Sequence, residues 1–93
     1  MKNECAKTRP ADQPYEYWTS RDGSWVWAVL KKWQADDDKP YARWFCKVYT
    51  PIVPEGEMGD VYTKEIKDTA IKVEHETAHD YIKRLQGLTV PRL

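Results

Sequence analysis

From Trp25 to Leu30 the chain is apolar on both of its alternating sides, a pattern that a strand with one face in water should not show. One side carries Trp25, Trp27, Val29, Lys31 and Trp33, and the other Val26, Ala28, Leu30, Lys32 and Gln34. Tyr15 to Thr19 has the ring and β-branched bias of a preceding strand, and Asp22-Gly23 between the two is a hairpin turn signal. Tyr41 to Thr50 predicts a third strand. Its set Ala42, Trp44, Cys46 and Val48 is uncharged, while Tyr41, Arg43, Phe45, Lys47 and Tyr49 alternate ring and cation. Pro51 and Pro54 close it, a loop over 51–60 contains Gly56 and Gly59, and Val61 to Ile66 predicts a fourth strand unless Thr63 already starts a helix.

Beyond Asp68 the period changes. Steps of about 100° gather Ile71, Ala78, Ile82 and Leu85 into one stripe flanked by Ala70 and Tyr81. Lys72, Glu76, Asp80 and Lys83 fall on the opposite side. Asp68 suits the N-cap, Gly87 the residue just past the end, and Pro91 bars continuation. The expected fold is therefore α+β: an antiparallel three- to four-stranded β-meander with one C-terminal amphipathic helix packed on one face. Residues 1–14 read as a flexible N-terminal tail, 15–88 as a single domain and 89–93 as a C-terminal tail.

Register decides which sets share a side. Pairing Gln34 with Tyr41 puts Trp25, Trp27, Val29 and Trp33 beside Ala42, Trp44, Cys46 and Val48, a consistent core for the helix to cap. A slip of one residue would exchange the two sets of the second strand. In the preferred register Val26, Ala28, Leu30, Phe45 and Tyr49 remain on the far side, edged by Arg43 and Lys47. One helix covers one face. The leftover set, with Val26, Leu30, Arg43, Phe45, Lys47 and Tyr49 as its binding residues, is the expected contact surface. It would take a second copy of the chain, as a homodimer, or another protein. The competing expectation is that the tail or the 51–60 loop folds over it.

Charge narrows the partners. With 15 basic and 15 acidic side chains in 93 residues, nothing pulls the molecule toward polyanions. Arg43, Phe45, Lys47 and Tyr49 could still form a base-stacking platform for single-stranded nucleic acid, an alternative weakened by the zero net charge. No apolar run approaches a membrane span or a secretory signal, so a cytoplasmic setting is expected, with Cys5 and Cys46 as free thiols.

One motif carries chemistry. His75-Glu76-Thr77-Ala78-His79 matches H-E-x-x-H, which on a helix stacks two imidazoles able to share a metal. It motivates the other alternative, a small zinc-dependent hydrolase with His75 and His79 as metal ligands. Against it, Glu76 points to the solvated side, and no Glu, His or Cys follows Asp80 to complete the site. A structural metal held by His75, His79 and Cys46 is a further option. The balance is against an enzyme, with no catalytic residues assigned and no cofactor unless zinc enters through the histidine pair. The leading expectation is a non-catalytic binding module.

Overall fold

The computed structural model describes residues 9–32 and 41–89. Strands β1 (Glu16–Ser20), β2 (Val26–Lys32), β3 (Arg43–Tyr49) and β4 (Glu57–Tyr62) form the meander. Helix α1 (Thr63–Thr69), strand β5 (Ala70–Val73) and helix α2 (His75–Thr89) complete the chain. The sheet has five strands rather than three to four, in the order β4-β3-β2-β1-β5, and every neighbouring pair is antiparallel. The α+β class is as the sequence predicts.

The first hairpin turns at Asp22-Gly23. Gly23 takes φ +77°, a conformation that a Cβ makes costly. Asp22 Oδ1 accepts hydrogen bonds from the Ser20 and Ser24 hydroxyls at 2.7 and 2.8 Å and from the Ser24 N–H at 3.1 Å, which ties the tip together.

The β2–β3 register is the preferred one at first. Val26 pairs with Tyr49 and Val29 with Cys46, on the same count as Gln34 with Tyr41. It then shifts, because Lys31 pairs with Phe45 and Leu30 is left as an extra residue. The carbonyl of Leu30 accepts the Arg9 N–H at 2.8 Å and that of Val29 accepts the Tyr15 N–H at 2.8 Å. Residues 9–14 of the expected tail therefore run beside the sheet, with Ala11 packed on its core. Residues 1–8, residues 33–40 (the expected strand end at Trp33 and Gln34 and the 35–40 turn) and residues 90–93 lie outside the described residues.

The expected fourth strand and helix are corrected. The strand occupies 57–62, and Thr63 starts α1 with its N–H donated to the Ala42 carbonyl at 2.9 Å. Thr63 and Ile66, three apart, are buried on one side of α1, and Ala70, the first residue of β5, is buried after them. Lys64 and Asp68 form an i,i+4 pair at 2.9 Å on its exposed side, so Asp68 ends a helix rather than capping one. Ile71 and Val73 then continue as strand, and Ile71 lies 47% exposed instead of joining the helical stripe. Ala78, Ile82 and Leu85 are buried as the stripe predicts. Gly87 lies within α2 rather than beyond its end.

The layer count decides the rest. α1 carries the chain from β4 at one edge to β5 at the other and covers Trp27, Val29, Trp44 and Cys46, joined by Ile66 and Ala70. α2 covers the opposite face, where Val26, Ala28, Leu30, Tyr17 and Tyr49 meet Ala78, Ile82 and Leu85. The C-terminal helix thus caps the face that the sequence leaves bare, and a second helix caps the face assigned to it. Two apolar faces have two lids. Among the described residues no helix is long and apolar enough to cross a membrane.

Candidate functional site

The expected contact surface is not available. Val26, Leu30 and Tyr49 are buried beneath α2 (0, 1 and 8% exposed) and Phe45 is half-buried at the margin of the same core. Burial pushes the Tyr49 phenol above its ordinary range. Lys47 folds over the Tyr49 ring, its ammonium 5.5 Å from the centroid, while Arg43 is exposed at the strand start. Neither a docking face nor a base-stacking ladder survives, because the rings that would form it are core.

His75 and His79 do come together. They occupy the first turn of α2 with Nε2 atoms 2.9 Å apart, and the Tyr17 hydroxyl lies 3.1 Å from His79 Nε2. The Tyr17 ring stacks on His75 with centroids 5.5 Å apart. Burial, with Tyr49 and Asp12 adding to it, pushes the Tyr17 phenol up to about 12. Cys46 belongs to the core beneath α1, on the other side of the sheet, so it cannot join the histidines. Among the described residues no group of three or more His, Cys, Asp or Glu side chains could hold a metal. Glu76 is exposed, as the helical angles predict. Among the described residues the arrangement shows neither a third His, Cys, Asp or Glu ligand nor the positioned base of a zinc hydrolase.

A different feature stands out on the α1 side. A cavity of about 570 Å³ opens between the β1–β2 turn, β4 and α1, within the range of ligand-binding clefts. Its apolar lining is Trp25, Trp27, Val48, Val61 and Tyr62, and its polar lining is Ser20, Asp22, Ser24, Asp60, Glu65 and Thr69. Among the described residues no Lys, Arg or His lines it. Trp25, the residue just before β2, and Trp27 within it both face the groove, with ring centroids 5.7 Å apart and planes tilted by 35°. Trp27 is buried against the sheet, whereas Trp25 is 45% exposed at the rim. The Trp25 N–H donates to Ser20 Oγ at 3.0 Å, so the same knot that closes the turn holds the rim tryptophan's backbone.

The charge of this groove is one-signed. Asp60 pairs with Phe45, whose side chain belongs to the α2 core, so strand alternation turns the Asp60 carboxylate toward that side. Asp22 and Glu65 are then the acids on the groove side. Hydrogen bonds from Ser20 and Ser24 hold the Asp22 carboxyl at about 2, keeping it anionic at any ordinary pH. Indole faces beside fixed carboxylates suit an organic cation, which the ring quadrupole and the negative charge attract together.

Sequence reading missed this groove because its walls come from separated parts of the chain. Alternation alone places Trp25 and Trp27 on an inner face and Glu65 in a strand. The one available signal was the double-sided apolar character of 25–30, which requires two covers and leaves Trp25 beyond the end of either. No family model, curated protein or solved structure matches this chain.

Proposed function

We propose that the chain is a non-catalytic binding module whose groove between the β1–β2 turn and α1 takes a lysine or arginine side chain presented by a partner protein. The observation that carries this reading is the groove's lining: two neighbouring indoles, a tyrosine and acidic residues, with no basic one among the described residues. The cation would lie against Trp25 and Trp27 while Asp22 and Glu65 balance its charge, and the partner's backbone would pass along the open rim. Trp25 at the rim is the kind of ring that anchors such contacts. A cytoplasmic setting belongs to the same reading, since Cys46 is a buried free thiol of the sort a reducing compartment maintains.

The test is a fluorescence titration with short lysine- and arginine-rich peptides, with an acidic peptide of equal length as control. Binding of the basic peptides should shift indole emission and weaken as salt rises. It should fall at least fivefold in Trp25→Ala and in Glu65→Gln, both at exposed positions that leave the core intact. Equal binding by wild type and Trp25→Ala, or binding of the acidic peptide alone, would refute the reading. Sedimentation across a concentration series separates the remaining case, in which the cation is supplied by a second copy.

A further inference from the structure

The second cluster of chemistry-bearing side chains lies on the other side of the sheet. His75 Nε2 and Tyr17 Oη both approach His79 Nε2, at 2.9 and 3.1 Å. An imidazole nitrogen offers either one N–H or one in-plane lone pair, so His79 Nε2 cannot fully serve two neighbours. Whatever the tautomers, three polar atoms compete at one point.

The ring geometry adds to this. A head-on N–H···N bond at such a separation would hold the ring centroids roughly 5 Å apart. They are 4.2 Å apart with planes at 79°, so the two nitrogens are canted off the line joining the rings rather than aimed at one another. Two imidazole nitrogens sharing one ion at 2.0–2.1 Å stand about 2.9 Å apart at a right angle and about 3.4 Å apart at the tetrahedral angle. The observed 2.9 Å matches the first. A cavity of about 540 Å³, lined in part by Tyr17, His75 and Glu74, gives access from solvent.

We infer that His75 and His79, with the Tyr17 hydroxyl beside them, form a binding site for a borderline divalent transition-metal ion, copper(II) or nickel(II) before zinc. Two nitrogen donors at a right angle, with an oxygen alongside, suit the tetragonal geometry of those ions. With two imidazoles from the chain, the remaining positions are filled by water or by a donor from another molecule. The site is distinct from the aromatic groove and does not depend on it. It also has a structural consequence. His75 and His79 begin α2 and Tyr17 belongs to β1, so an ion would brace the start of α2 at the sheet.

The experiment uses the full chain without an affinity tag, stripped with chelator and then dialysed. Copper(II), nickel(II), zinc(II) and magnesium chlorides are titrated by calorimetry, and thermal unfolding is followed in parallel. One copper or nickel per chain should bind, raise the midpoint of unfolding, and perturb the His75 and His79 ring resonances, while magnesium does none of these. His75→Ala replaces an exposed side chain, keeps the fold, and should weaken binding at least tenfold. Tyr17→Phe should weaken it by a smaller factor and alter the copper absorption band. Equal copper affinity in wild type and His75→Ala would overturn the site. So would one-to-one binding that leaves both histidine rings unperturbed, or no uptake of copper or nickel at all.

Discussion

The backbone N–H of Arg9 donates to the carbonyl of Leu30 at 2.8 Å, at the one residue where β2 slips out of step with β3. A bulged residue loses its place in the ladder, and its polar groups need another partner. The segment entering β1 supplies it. Leu30 keeps the side set by Val26 and Ala28, in the core under α2, while the bulge lets Lys32 rather than Lys31 share a side with Trp44, where its ammonium lies 4.9 Å from the ring centroid.

Leu30 is therefore a core residue and not a contact residue. Leu30→Ala should cost about 2–5 kcal/mol of stability, the usual range for emptying a fully buried leucine site. Leu30→Glu should abolish the cooperative transition, because an unpaired carboxylate would enter a closed apolar space. Urea denaturation followed by circular dichroism checks both. A Leu30→Glu protein that remained as stable as wild type would mean that α2 does not cover this face in solution.

Two glycines should respond in opposite directions. Gly56 has φ +94°, and an added Cβ would stand 2.5 Å from Lys47 Cε and 2.9 Å from Tyr49 Cε2. Gly56→Ala should destabilise by about 1–3 kcal/mol, through both the backbone and the crowded tyrosine. Gly87 lies within α2 with open space where a Cβ would go. Gly87→Ala should stabilise by about 0.5–1 kcal/mol, the ordinary gain of alanine over glycine inside a helix. Chemical denaturation of the pair gives the two signs.

Thr19 is fully buried on β1, and its hydroxyl oxygen has no hydrogen-bond partner among the described residues. Valine has nearly the same shape, keeps the β-branch and removes the stranded hydroxyl. Thr19→Val should raise stability by about 1 kcal/mol. Thermal unfolding at fixed pH would reveal it, and a lowered midpoint would mean that the hydroxyl is bonded in solution.

Glu16 contributes to the acid sensitivity of the fold. Burial alone would raise its carboxyl, but the Trp18 indole N–H at 2.7 Å, Lys32 at 3.0 Å and the Lys72 charge outweigh burial and hold it below its ordinary value of 4.5. A depressed folded value means that ionised Glu16 stabilises the fold fully above pH 4.5 and that this contribution is lost as pH falls through the lower value. Glu16→Gln should cost about 1–2 kcal/mol at neutral pH and flatten the loss of stability below pH 4.5. Denaturation midpoints of both proteins across the acid range would display the difference.

Local signals in the chain were legible where they acted locally. Asp22-Gly23 gave the first turn, and the paired alternation of 25–34 and 41–50 gave the register up to Val29. The register failed at Leu30 because a bulge leaves no mark in an alternating pattern. The 61–73 segment was misread for a different reason. A seven-residue helix and a four-residue strand are each too short for their period to stand out, and Ile71 fell on the stripe of α2 by coincidence of spacing. That single merger hid α1, and with it one wall of the groove. The histidine pair was legible because both members sit on one helix turn, whereas Tyr17, which completes it, comes from β1 and lies beyond any local pattern.

Cys46 offers a direct test of whether the two cores act as one. Burial, with Asp60 and Glu16 adding to it, pushes its thiol up to about 12, so at neutral pH it is protonated as well as sealed beneath α1. A thiol reagent can reach it only when the sheet opens, and labelling then follows the population of the open form. In a Cys5→Ser background, which leaves one cysteine to report, labelling should be slow in buffer and rise steeply through the urea transition. Leu30 lies in the core on the opposite side, under α2. If the strands bind both cores into one cooperative unit, Leu30→Ala should accelerate Cys46 labelling by the factor its stability loss predicts, about 30-fold or more for 2 kcal/mol. If labelling stays unchanged while the global midpoint falls, α1 lifts from its face independently. The two lids would then be separate units sharing a sheet.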